Sequence, residues 1–145
     1  MKYFLDSSYI IDYINKRAPR HNDVLQALNQ LLKDSNNEFI INRLVYTEVL
    51  RGIKLNHKKL YHKTLQALNS FTEVEIKKDI YDEAISFSRF CTSIGVTLSG
   101  SCAPIDFIHF ITAKQYGLAL LSMDNGFKTL DDKYVEFKNN HQNRI

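Results

Sequence analysis

Four acidic residues, Asp6, Glu48, Asp106 and Asp124, stand where an α/β chain can bring them to one edge of a sheet. Two carboxylates about 4 Å apart repel by roughly 4 kcal/mol at an effective dielectric of 20, so a group of three or four needs protonation or a cation. No lysine or arginine immediately adjoins Asp6, Asp106 or Asp124 in sequence, whereas Arg43 or Arg51 is placed to neutralise Glu48. Ligation by oxygen alone, without His or Cys, favours Mg²⁺ or Mn²⁺ over zinc. Such an ion acidifies a water and offsets charge on a leaving oxygen, which is the chemistry of phosphodiester hydrolysis.

Each acid also has an ordinary reading. Asp6, between a strand and a helix, is an N-cap candidate. Asp106, just after Pro104, complements a helix dipole. Asp124, in MDNG, is a turn former. Glu48 is the most informative, because glutamate is almost never buried without a partner and its helix is apolar around it.

The elements that must position these acids alternate along the chain. KYFL (2–5), FIIN, TEVEI, LALLS and YVEF read as five short strands. Between them, SSYIIDYINK, DVLQALNQLLK (23–33), RLVYTEVLRGIKLN (43–56), HKKLYHKTLQALNSF, residues 78–94 and the segment from Pro104 show helical spacing. Gly52 falls inside one of these helices, where it costs about 1 kcal/mol, which suggests a packing reason. VTLSGSC reads as a loop, Gly117 as a turn, and KNNHQNRI as a polar, frayed tail. The fold class is α/β: a three-layer α/β/α arrangement around a central, mostly parallel five-stranded sheet. Sites in such sheets lie beyond strand C-termini, near the reversal of strand order. Asp6 and Asp124 follow strands, Asp106 opens a helix, and Glu48 lies one or two turns into one.

A chain of 145 residues suits one domain, residues 1–145, with a sizeable core. A net charge of +3 is too small to identify a partner, so local clustering has to carry that argument. Residues 43–63 hold Arg43, Arg51, Lys54, Lys58, Lys59 and Lys63 against Glu48 alone, a run suited to a phosphate backbone or to a solvated helix face. Tyr46 and Tyr61 are candidates to stack on bases or to join the core. The five histidines build no competing site; His109, one turn after Asp106, is a packed or substrate-facing residue. Cys91 and Cys102 form neither a disulfide framework nor a zinc pattern, and MKYFLDSSYIID lacks a signal-peptide core. These features imply a cytoplasmic protein with no membrane association.

With these motifs in place, the chain resembles the PIN-domain ribonucleases, specifically VapC-type toxins of type II toxin–antitoxin pairs. KYFLDSSYIIDYI is similar to that family's opening strand, acid and hydroxyl pair, and VYTEVLRGI to its second acidic motif. PIDFIHFITAKQYGLALLSMDNGF is similar to the third and fourth motifs. The resemblance implies that Asp6, Glu48, Asp106 and Asp124 ligate Mg²⁺ or Mn²⁺ and that Ser8 and Ser122 position ligands or a water. It also implies an RNA substrate, a homodimer or larger toxin–antitoxin assembly, and a cognate antitoxin. Two departures stand out: Gly126 occupies a place where many relatives carry an acid, and VTLSGSCAP differs from the commoner approach to the third motif. The alternatives are a catalytically silent PIN-like module that binds RNA or protein, and a phosphoacceptor receiver domain. The second lacks an acidic neighbour to Asp6 and a late strand-end lysine.

Overall fold

The computed structural model describes residues 1–96, 98, 103–123 and 126–142. Asp124, Cys102 and most of the VTLSGSC loop lie outside the described residues. The chain forms two compact units, Met1–Glu75 with Gly117–Met123, and Ile76–Tyr116 with Asp124–Ile145.

The first unit is built on strand β1 (Lys2–Leu5), whose Phe4 and Leu5 are wholly buried. Helices α1 (Ser7–Ile14) and α2 (His21–Leu32) follow, then β2 (Glu38–Ile41), α3 (Arg43–Leu50), α4 (Lys58–Asn69), β3 (Thr72–Glu73) and, after two helices of the second unit, β4 (Ala119–Leu121). All pairings are parallel and the order is β3-β2-β1-β4. Register places Leu5 opposite Leu121 and Phe4 opposite Ile40. Tyr9 and Ile10 of α1, Val24 and Leu28 of α2, Val45 and Val49 of α3, and Leu68 of α4 supply the buried helix faces. β1 lies between β2 and β4. A receiver domain places its first strand between the second and third, so this topology excludes that alternative.

The second unit packs α5 (Lys78–Ser93), α6 (Ala103–Tyr116) and α7 (Gly126–Gln142) around Phe87. That ring lies 5.3 to 5.6 Å from those of Phe107, Phe110, Tyr134 and Phe137. Glu83 accepts hydrogen bonds from Tyr134 Oη, from Lys138 Nζ at 2.9 Å and from Gln115 Nε2 at 2.6 Å. Burial alone would raise its carboxyl, but these donors outweigh that and hold it below the ordinary range. Gly117 ends α6 with φ +68°, the left-handed conformation that favours glycine after a helix.

The α/β class and the parallel sheet are as expected, with three corrections. Among the described residues the sheet has four strands, not five, because YVEF lies within α7. Phe127, Leu130, Tyr134 and Phe137 recur at helical spacing, and the helix buries Phe127, Leu130 and Phe137 while Val135 is 61% exposed. A four-residue apolar run does not by itself distinguish strand from helix. The same helix carries the polar tail as far as Gln142. Finally, α3 stops at Leu50, so Gly52 sits in the following turn; a Cβ there would meet only the Val49 carbonyl oxygen, at 3.8 Å. Packing within the protein does not require that glycine.

Candidate functional site

Asp6 stands one residue past β1, and its backbone N–H donates to the Leu121 carbonyl at 3.1 Å, carrying the β1–β4 ladder past the strand end. Strand order reverses between β1 and β4, so Asp6 and Ser122 occupy the switch-point edge where open α/β sheets bind ligands. Asp6 is only 3% exposed. It holds the N-cap position of α1 in an extended conformation, yet its side chain makes no cap hydrogen bond. Instead Ser8 Oγ donates to Oδ2, and Ser122 Oγ donates to the same oxygen at 3.2 Å. Both hydroxyls fix the direction of that oxygen.

Glu48 is the sixth residue of α3, half-buried, beside the buried Val49. Arg43 does not neutralise it. The Arg43 guanidinium bonds both oxygens of Glu73, at 2.5 and 3.1 Å, and lies 4.2 Å over the Tyr46 ring. Arg51 forms no ion pair among the described residues. The rival account of Glu48 as half of an arginine pair therefore loses both candidates.

Asp106 lies in the first turn of α6, half-buried, in the second unit. Asp124 lies outside the described residues. The structure therefore brings together Asp6, Ser8 and Ser122 and places Glu48 in the same unit. Among the described residues no three His, Cys, Asp or Glu side chains gather as a metal site. The available donors are all carboxylate oxygens, which suits a hard divalent ion.

Among the cationic candidates, Arg51, Lys54, Lys58 and Lys59 are exposed and form no ion pair among the described residues, whereas Arg43 is held by Glu73. Tyr46 belongs to the core, 6% exposed, with its hydroxyl donating to Asn69 Oδ1 at 3.0 Å. Tyr61 is 39% exposed. His109 is completely buried. Two features were missed from sequence. Asn42, read as part of FIIN, caps α3 by accepting from Val45 N–H at 3.3 Å. Lys16 and Arg17 line one groove with Lys54, a grouping that charge counting along residues 43–63 does not reveal.

A PIN-domain family model matches residues 3–133, from β1 into α7. The chain belongs to the PIN-domain family. Among solved structures, this PIN domain is similar to VapBC2 from Rickettsia felis, crystallised with a DNA fragment from its promoter. The TM-score there is 0.70 at 20% identity, over 90% of this chain and 93% of that one. It is also similar to FitAcB from Neisseria gonorrhoeae, with a TM-score of 0.66 at 19% identity over 91% and 94% of the two chains. VapC20 from Mycobacterium tuberculosis, described as a sarcin–ricin loop cleaving toxin, gives 0.65 at 14% identity over 88% and 93%. At these identities the likeness is one of fold. No curated protein matches the PIN-domain chain in sequence.

Proposed function

We propose that this chain is a metal-dependent endoribonuclease, the toxin of a toxin–antitoxin pair, which hydrolyses RNA phosphodiester bonds. The observation that carries the reading is Asp6: a buried carboxylate at the switch-point edge, held by two serine hydroxyls and not used to cap its helix. In this reading Asp6, Glu48, Asp106 and Asp124 supply the oxygen ligands for Mg²⁺ or Mn²⁺, and Ser8 and Ser122 fix the direction of Asp6. When bound, such an ion lowers the pKa of water and offsets charge on the phosphate. Arg51, Lys54, Lys58 and Lys59 attract the RNA backbone, while Arg43 contributes less because Glu73 already holds its guanidinium. The toxin role, a cognate antitoxin and a homodimer or larger assembly in the cytoplasm are supported by family membership and by the likeness to VapBC2 and FitAcB.

The test is cleavage of total RNA by purified, antitoxin-free protein in Mg²⁺ and Mn²⁺, beside Asp6→Asn and Asp106→Asn. Wild type is expected to cleave in a metal-dependent manner and both variants to fail. Identical behaviour of all three proteins defeats the proposal.

A further inference from the structure

The turn between α1 and α2 carries three exposed cations, Lys16, Arg17 and Arg20. Lys16 and Arg17 line the groove they share with Lys54, but Arg20 does not. Its guanidinium reaches to the end of β4 and donates from Nη1 to the Met123 carbonyl at 3.2 Å, 103 residues away in the chain. Met123 directly follows Ser122, whose hydroxyl donates to Asp6 Oδ2 at 3.2 Å. One or two residue spacings of about 3.8 Å therefore put the guanidinium on the order of 10 Å from the Asp6 carboxylate. A carboxylate lies closer along the chain. Asp23, exposed in the first turn of α2, is three residues on, yet Arg20 forms no ion pair with it or with any other acid among the described residues.

We propose that Arg20 is a phosphate-binding residue of the RNA site, gripping a backbone phosphate beside the one that is cleaved; the proposal rests on the nuclease reading above. RNA must approach an edge that carries carboxylates, and a metal ion offsets charge only at the phosphate it holds. The neighbouring phosphates need a cation supplied by the protein. A neutral carbonyl fixes the Arg20 guanidinium without cancelling its charge. That bond uses one of five N–H donors set in a rigid plane, and the others suit two oxygens of one phosphate. It also restricts the side chain in advance, so less freedom is lost when the phosphate arrives. A separation on the order of 10 Å corresponds to about three nucleotides at roughly 3.4 Å of strand each. Arg20 therefore acts within a few positions of the cleaved bond. Arg51, Lys54, Lys58 and Lys59 differ from it in kind: they attract the backbone, whereas Arg20 is held in place at the site edge.

The experiment uses the full chain and a set of labelled single-stranded RNA hexamers in which one backbone phosphate at a time is replaced by a neutral methylphosphonate. Binding is read by fluorescence anisotropy in EDTA, so neither metal nor cleavage enters. In wild type, neutralising one particular phosphate should weaken binding about tenfold, and the others less. Arg20→Gln should weaken the unmodified hexamer by about the same factor, lower the salt slope by about 0.7, and abolish the penalty at that one phosphate. Arg20→Lys keeps the charge but not the planar fork, so it should retain the slope and recover only part of the affinity. In Mn²⁺, Arg20→Gln should cleave RNA with KM raised and kcat nearly unchanged. Its melting temperature should shift by less than about 2 °C, as expected of an exposed residue. Wild type that binds no hexamer overturns the proposal, as does a penalty profile that is the same in Arg20→Gln. Unaltered RNA affinity with a higher Mn²⁺ midpoint for cleavage also overturns it, and makes Arg20 a latch that positions Ser122. If wild type binds RNA but cleaves none, the nuclease reading falls on its own, and the hexamer profile still decides whether Arg20 grips a phosphate.

Discussion

Two strand-to-helix turns lie side by side in the first unit and solve the same local problem differently. After β2, Asn42 is completely buried and accepts the Val45 N–H, so its side chain serves the helix that follows. After β1, Asp6 is almost as buried and holds the same N-cap position, but its carboxylate accepts from Ser8 and from Ser122 across the sheet. The uncharged residue caps and the charged residue does not. Aspartate and asparagine cap about equally well, so helix formation gives no reason to place a buried charge after β1. The contrast separates a turn that stabilises the fold from a turn that holds a carboxylate for chemistry.

The largest effect that tests this contrast is the loss of activity in Asp6→Asn. The substitution keeps size and polarity, so cleavage in Mn²⁺ should fall at least about a hundredfold, equivalent to about 2.7 kcal/mol or more of barrier. The melting temperature should stay the same or rise, since one buried charge is removed. A drop in melting temperature with cleavage intact would make Asp6 a structural residue like Asn42. Ser8→Ala and Ser122→Ala come next. Residues that orient ligands commonly change metal affinity or activity by about 10- to 100-fold. Because both serines donate to Oδ2, the double variant should show less than the product of the single losses, read as metal titration midpoints in the cleavage assay.

Much of this arrangement was legible in the sequence. An apolar strand ending in Asp-Ser-Ser and a second one ending in Ser are enough to place Asp6 and Ser122 at the same sheet edge once the sheet is parallel; that the two strands are neighbours comes from the structure. What sequence could not show is how the Asp6 carboxylate is used, because capping and chemistry call for the same residue at the same position. Asn42 was hidden because it extends an apolar run by one polar residue, and a strand boundary is uncertain by about that much. YVEF misled for a related reason: its helical period appears only when Phe127 and Leu130 are counted with it. Lys16, Arg17 and Lys54 are close in the fold but far apart in the chain, so no linear scan groups them.

Glu83 extends the comparison to an acid of the second unit. Like Asp6 it accepts from a hydroxyl, and Lys138 at 2.9 Å compensates its charge within the fold. Glu83→Gln should lower stability by about 2 kcal/mol at neutral pH and leave cleavage unchanged. Its carboxyl is held below the ordinary range, so the stabilisation is present above the unfolded value, near pH 4.3, and is lost as pH falls through the folded value. The gap between wild-type and variant melting temperatures should therefore close on acidification below about pH 4. A gap independent of pH would mean that the contribution comes from shape and not from charge. Asn42→Ala follows at about 1 kcal/mol, a shift of about 3 °C, again with cleavage unchanged.

The smallest expected effect lies beside Asn42. Arg43 is the first residue of α3, where a positive charge opposes the helix dipole, and its exposed pair with Glu73 is worth about 0–1 kcal/mol. These contributions have opposite signs, so Arg43→Gln should move stability by less than about 0.5 kcal/mol. Because Glu73 already occupies the guanidinium, the variant should also leave the salt dependence of RNA binding nearly unchanged. Lys54, exposed and without an ion-pair partner among the described residues, lies past the end of α3 and should account for about one unit of that slope. Equal slopes lost by the two variants would show that RNA reaches back across the β2–α3 turn. That result would make the turn capped by Asn42 part of the substrate surface, and the division between a structural turn and a chemical one would then hold only for side chains that face the sheet.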